Sequence, residues 1–464
     1  MYRHLFRGIF WGLTSSVGVI LIQLLMTLVV GRQSSAMLGL LNTLEVVVGG
    51  YLAFCFVGGS VSLANHMNRN PERSVLPQIV ANLGGAVVVT VVGILLMFGL
   101  GWGDSLGRGQ LLLLAGCGLA GLAANQFAAE RAALLDFRFS NFQEKGGFFF
   151  LAVGMILLTW AGLLTSLAIL VLALILFGLV ALLGFWKIRK PSAHDWSRLK
   201  SYYTRPVFYY TATYAMIFFY ERIDQILILH YFDLATLGIY FVCYKMSFSV
   251  RLLSSIIVKA AYPIMSRMEQ TGGGGQGDIE IFLLRINYII AVVSAVGLCL
   301  GADFLLGLYG EPYLALKSVL MIMAVTRVAG VVNLVLANTI NARGEGATFF
   351  GISTTTVMLQ VAIMALTVDS QGIKAMALSR LGAVLLGNVT TMMAVRKMGK
   401  LDPLIMKMSL KFTTFAALMA WAYFYRPSLV VALAIVGGLG LVLFAEFRQL
   451  WSLWLQYQRK KPVA

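Results

Sequence analysis

Acidic side chains are scarce. Only 19 Asp and Glu stand against 36 Lys and Arg in 464 residues, and charged residues are 12% of the chain. A soluble domain carries about twice that fraction, so an ordinary water-soluble enzyme is excluded. Cysteine is rarer still. Cys55, Cys117, Cys243 and Cys299 all lie in apolar runs without CxxC or CxxxC spacing. They read as small buried hydrophobes, not as a disulfide framework or thiolate metal site. His4, His66, His194 and His230 are scattered, with no partner at ligand spacing. No nucleophile–base set and no embedded His/Asp/Ser arrangement occurs. The sequence therefore predicts no catalytic residue, no metal site, no cofactor and no enzyme. The stretch TGGGGQG at 271–277 has no GK[ST] after it. It reads as a flexible connector and not as a phosphate cradle, and no ATPase domain is present.

What is present is apolar length. Hydrophobic residues make up 59% of the chain and the mean hydropathy is +0.84. A membrane span needs about 20 mostly apolar residues. Such runs fall at 8–30, 36–60, 79–101, 110–129, 148–165, 167–186, 206–231, 236–262, 284–308, 318–341, 347–368, 372–395, 408–425 and 428–446. The first follows Arg3 and Arg7 and is too long for a signal-peptide core, so it reads as a retained span. The division between the fifth and sixth runs, near Leu163–Ser166, is the narrowest. The predicted fold is an all-α polytopic membrane protein of about 14 spans in a 6 + 6 + 2 arrangement. Residues 1–200 and 201–400 would each form a six-helix lobe, and 401–446 would add two helices. The tail 447–464 has Phe447, Leu450, Trp451, Trp454 and Tyr457 at helical spacing before a basic end. That pattern suits an interfacial helix on anionic lipid.

Charge orients the spans. With a cytoplasmic N-terminus, 25 of the 36 basic residues fall in cytoplasmic segments and five outside: Arg32, Arg108, Lys317, Lys374 and Arg426. This is the positive-inside bias of a multi-pass inner-membrane protein with both termini cytoplasmic. Most of the net charge of +17 is thus topology signal and requires no nucleic-acid partner.

Shifting the chain by 199 residues aligns the segment from Leu38 with that from Leu237, each opening on Leu-Gly. The halves share orientation, which predicts a parallel repeat around an axis along the membrane normal.

Six cations remain inside spans: Arg222, Lys245, Arg251, Lys259, Arg327 and Arg380. Three acids remain with them: Glu45, Glu221 and Asp224. Six cations facing lipid would cost about 15–20 kcal/mol, comparable to or above a typical total stability. They must face protein or water, with Lys259 nearest to snorkelling. All six fall in the second half. Arg222 and the acids read equally as structural ion pairs, whereas Lys245, Arg251 and Arg327 point to an anionic substrate. A diphosphate suits them, because Arg grips phosphate oxygens bidentately and Lys supplies point charge. On the tenth span, Arg327, Asn338 and Asn341 lie within about 60° of one another.

The segment "ERIDQILILHYFDLATLGIYFVCYKMSFSV" (221–250) resembles the polysaccharide-transporter branch of the MOP exporter superfamily. So do "AAYPIMSRM" (260–268), "YGEPYLALKSVLMIMAVTRVAGVVNLVLANTINARGE" (309–345) and "SQGIKAMALSRLGAVLLGN" (370–388). Members of this branch are Wzx-type flippases for undecaprenyl-diphosphate-linked oligosaccharides. The resemblance implies a V-shaped, MATE-like pair of pseudo-symmetric lobes around a cationic cavity. Lys245, Arg251, Arg327, Arg222 and Arg380 would bind the headgroup. Asn338, Asn341, Gln360, Gln23 and Asn42 would line the glycan space. Glu45, Glu221 or Asp224 would carry a coupled H⁺ or Na⁺, with the membrane potential as the rival driver. Membrane lipids and a polysaccharide polymerase or glycosyltransferase assembly are the expected partners. The last two spans are similar to an addition found in lipid II flippases. Those proteins, however, place key arginines in the first lobe, where this sequence shows no embedded cation. A multidrug exporter and a non-transporting scaffold are the other classes. The basic cavity argues against cationic drugs, and a scaffold needs no buried cations.

Overall fold

The computed structural model describes residues 2–59, 63, 74–99, 107–134, 136–188, 191–197, 199–203, 205–271, 276–342, 345–397, 403–425, 445–446 and 448. Within these helices some side chains lie outside the description, those of Lys259, Asn338 and Asn341 among them. The expected span at 428–446, apart from its last two residues, and nearly all of the expected interfacial tail also lie outside it.

The described chain is helical. Its long helices are α1 (Tyr2–Gln33), α2 (Ser35–Cys55), α3 (Leu76–Gly99), α4 (Arg108–Ala133), α5 (Phe137–Trp160), α6 (Ser166–Lys187) and α7 (Arg205–Tyr231). They continue as α8 (Leu234–Thr271), α9 (Gln276–Leu300), α10 (Lys317–Ala342), α11 (Gly346–Gln371), α12 (Lys374–Lys397) and α13 (Pro403–Tyr425). Nine helices among the described residues are long and apolar enough to cross a membrane. The chain is a multi-pass membrane protein. α7 and α8 have the length of a span and also carry six of the nine embedded charges: Glu221, Arg222, Asp224, Lys245, Arg251 and Lys259.

Local chemistry sets the ends. The division near Leu163–Ser166 is built from a left-handed glycine and a cap. Gly162 takes φ +69°, a conformation that costs other residues more than glycine. Thr165 then accepts the amide of Ala168 at 3.2 Å and starts α6. α8 opens in the same way, with the Thr236 amide on Asp233 Oδ1 at 2.7 Å. That bond holds the Asp233 carboxyl below the usual carboxylate range. α2 begins at Ser35 behind the cap Ser34, and α8 begins at Leu234 behind the cap Asp233. The 199-residue repeat is therefore exact at this boundary.

Three boundaries differ from expectation. α5 begins at Phe137, eleven residues before the apolar run at 148, because Asp136 accepts the Phe139 amide and caps a polar first turn. α8 runs on to Thr271, about 57 Å at 1.5 Å per residue, and so extends beyond the hydrocarbon core. α9 starts at Gln276 and ends at Leu300, earlier at both ends than the apolar run at 284–308. Lys145, expected in a loop, is consequently inside α5, and Arg285, expected at the first turn of a span, lies further inside α9.

Two compact units make up the chain. The first is Met1–Val242 with Leu308–Tyr313, and the second is Cys243–Gly307 with Leu314–Ala464. In the first unit α4 packs on α2, α5 and α6, α1 on α5, and α7 on α2. Small residues permit close approach: Gly121 leaves room for Val48, and Gly154 for Leu172. In the second unit α10 packs on α9, α11 and α12, and α11 on α12. The fourth–sixth grouping is thus repeated by the tenth–twelfth. α13 joins the second unit against α9, α10 and α12. Its Phe412, fully buried, stacks on Tyr288 at 3.8 Å. Glu446 then binds Lys411 at 2.7 Å and Arg285 at 3.2 Å.

Candidate functional site

The predicted residues fall into two clusters, one in each unit. In the first unit, α2 and α7 bring Glu45 and Arg222 together, with Nη2 3.6 Å from Oε2. Arg222 Nη1 also donates to Gln225 Oε1 at 2.8 Å, one turn further along α7. Asn42, one turn before Glu45, is fully buried, and neither of its amide atoms has a hydrogen-bond partner among the described residues. Gln225 Nε2 is in the same position. Unsatisfied buried polar groups are costly and mark places where water, an ion or a ligand is to be accommodated. Asp224 points elsewhere, fully buried, and accepts the Tyr240 hydroxyl. Glu221 and Gln23 are half-buried on α7 and α1. Beside this cluster an apolar cavity of about 270 Å³ lies among α2, α3, α4 and α7, with Phe54, Val89, Leu114 and Phe218 in its wall and Gln225 at its polar end.

In the second unit, two predicted arginines converge on one aromatic ring. Arg327 of α10 lies 5.0 Å and Arg380 of α12 lies 5.4 Å from the centroid of Tyr244 on α8. Arg327 also lies 5.7 Å from Phe248, one turn after Tyr244. Both guanidiniums are buried, at 5% and 2% exposure, so the ring quadrupole acts on them in a weak dielectric. A guanidinium carries its N–H donors in its own plane, and these are the groups with which arginine grips an oxyanion. Lys245 and Arg251 are half-buried on the same helix. Tyr244 and Phe248 were missed in the sequence, although their i, i+4 spacing around Lys245 was a readable signal. A polar seam runs through the unit. Thr391 donates to Asn333 at 3.1 Å, and Asn388 donates to the Ala329 carbonyl at 2.9 Å. Gln360 is fully buried, with both amide atoms unpartnered among the described residues.

A third polar group was not anticipated. Lys145 of α5 reaches Ser16 of α1 at 2.7 Å, and Ser15 and Asn141 at 3.3 Å. It sits within the apolar stretch Arg138–Trp160, so residues 1–200 do carry an embedded cation where the sequence reading had none. Among the described residues no cluster of three or more His, Cys, Asp or Glu could hold a metal.

These helices and this packing have the fold of the MOP-superfamily transporters. The lipid II flippase MurJ in an inward closed conformation matches with a TM-score of 0.63 at 10% identity, over 97% of this chain and 99% of that one. A Vibrio cholerae MATE transporter matches at 0.59 and 14% identity, over 87% and 98%. An inward-facing multidrug resistance MATE transporter of the MOP superfamily matches at 0.56 and 13%, over 82% and 94%. No curated protein matches the chain by sequence. Residues 136–274 match the family of polysaccharide biosynthesis proteins. The chain thus has a fold similar to those of the MATE and MurJ transporters, and a segment of it is similar to polysaccharide biosynthesis proteins.

Proposed function

We propose that the protein is a flippase. It carries a lipid-linked, negatively charged oligosaccharide, on an undecaprenyl-diphosphate carrier, from the cytoplasmic to the outer face of the bacterial inner membrane. The observation that carries this reading is the pair Arg327 and Arg380 on Tyr244. Two buried cations from separate helices meet at one aromatic face. That arrangement suits a phosphate or diphosphate and disfavours a cationic drug. Lys245 and Arg251 extend the positive charge along α8. The glycan would be met by amides, with Asn42 and Gln23 as the candidates in the first unit and Gln360, Asn338 and Asn341 as those in the second. Alternating access requires the two states to differ in affinity for the substrate. The buried acids Glu45 and Asp224, with Glu221, are the groups through which H⁺ or Na⁺ would couple, and the membrane potential acts on the same charges. Membrane lipids and a polymerase or glycosyltransferase assembly are the partners this role implies, and both termini would be cytoplasmic.

A lipid II substrate is the second reading, favoured by one observation. The MurJ match extends over 97% of the chain, whereas the two MATE matches cover 82% and 87%.

The test is ligand-dependent melting of the purified protein with undecaprenyl diphosphate. Wild type is expected to be stabilised, and Arg327→Gln and Lys245→Gln are expected to lose the shift while melting normally without ligand. A wild-type shift untouched by both changes would make these cations structural.

A further inference from the structure

We propose that Lys145, Ser15, Ser16 and Asn141 form an anion site in the first unit that receives the diphosphate headgroup, an inference that rests on the flippase reading above. Helical register assembles the site. Asn141 and Lys145 stand one turn apart on α5, so they share a face. Ser15 and Ser16 are consecutive on α1, which packs on α5. Lys145 Nζ donates to Ser16 Oγ at 2.7 Å, to Ser15 Oγ at 3.3 Å and to Asn141 Oδ1 at 3.3 Å. Ser15 Oγ in turn donates to Asn141 Oδ1 at 3.3 Å.

These four side chains bring one positive charge and no negative one. Each is half-buried, within reach of a ligand yet partly shielded from bulk water. The set is rich in convertible donors. A hydroxyl that accepts from the ammonium can rotate and donate to an oxyanion, and the amide can present its NH₂ group. An ammonium, two hydroxyls and an amide converging on one point are a donor set for phosphate oxygens. Lysine supplies the point charge without fixing the approach, which suits a site that must release its ligand.

Depth supports the same ligand. Ser15 and Ser16 open the apolar stretch Thr14–Gln33, and Lys145 lies seven residues into the stretch that starts at Arg138. That is about 10 Å along the helix. The rim at this end carries both signs. Arg131 pairs with Glu130 and bonds the Lys187 carbonyl, Lys187 Nζ sits 3.8 Å over the Phe139 ring, and Asp136 caps the helix. The cluster, whose own charge is positive, lies one to two turns further in. A lipid diphosphate reaching the protein from that leaflet would meet Lys145 early in its path.

The probes are undecaprenyl diphosphate, undecaprenol and inorganic pyrophosphate, applied to the full chain in nanodiscs. Wild type is expected to bind the diphosphate lipid more tightly than the alcohol, with pyrophosphate competing. Lys145→Met should raise the apparent Kd about tenfold and weaken pyrophosphate competition, with unliganded melting nearly unchanged. Lys145→Arg should retain most of the affinity, and Ser16→Ala should fall between. The arginine and alanine variants decide the matter if the methionine variant does not fold. Lys145→Met binding as wild type does, while Arg327→Gln loses the lipid, would reduce the cluster to a brace between α1 and α5 and leave the flippase reading standing. Pyrophosphate competition unchanged in Lys145→Met would likewise overturn the site. No binding of the diphosphate lipid by wild type would overturn both.

Discussion

Arg222 and Glu45 illustrate what a buried charge does in this protein. Each was legible as an embedded charge, and an ion pair between Arg222 and one of the acids was one reading, but which acid was not legible, because it depends on α2 and α7 lying side by side. With side-chain exposures of 19% and 7%, the pair is mostly withdrawn from solvent. Removing one partner leaves the other ionised in a poor dielectric. Arg222→Gln or Glu45→Gln alone should therefore lower stability by about 3–5 kcal/mol, and the double change should restore most of it. Thermal melting in detergent checks this. A double variant that loses the sum of the two single losses would mean that the pair contributes nothing as a pair. Tyr244 is the complementary case. Its ring unites Arg327 and Arg380, yet nothing in a list of embedded charges points to an aromatic on another helix. Lys145 was hidden for a third reason. The apolar run that marked its helix begins at 148, whereas the Asp136 cap starts the helix earlier and carries Asn141 and Lys145 inward.

At the scale of helices, the repeat was the most readable feature, and its meaning is mechanical. The paired Leu-Gly openings place Gly39 on α2 and Gly238 on α8. A Cβ on Gly39 would overlap the Leu234 carbonyl, and one on Gly238 would overlap that of Ser35. The two helix starts thus meet backbone to backbone. Around them Tyr309 bonds Thr27 at 2.9 Å, Tyr313 donates to the Gly31 carbonyl at 3.0 Å, and Arg32 Nε donates to the Leu308 carbonyl at 2.7 Å. All these contacts lie within the first unit, at the end of the helices opposite the N-terminus. Gly238→Val should wedge this end apart. Thr27→Cys, buried in the parent protein, would then react several-fold faster with an impermeant maleimide. Unchanged labelling would show that the glycine contact does not hold this end closed. The contact itself was not legible, since a glycine in an apolar run carries no sign of what approaches it.

For the whole molecule, hydropathy gave the order of the helices, because span length is a local property. The repeated grouping of the fourth to sixth and tenth to twelfth helices follows from that order. The division of the contacts does not, since it falls inside α8, between Val242 and Cys243. No composition change marks it. The cations were found by subtraction, as residues too costly to leave in lipid, and five of them gained defined surroundings or a half-buried position on a known helix. Their collective purpose is the central claim. The direct measurement is translocation of an undecaprenyl-diphosphate-linked fluorescent oligosaccharide in proteoliposomes, read by quencher access from one side. Wild type should move the label across the bilayer, and Arg327→Gln with Arg380→Gln should abolish movement in protein that is folded and inserted. A wild-type protein that leaves the lipid on its original face, or a double variant as fast as wild type, would contradict it.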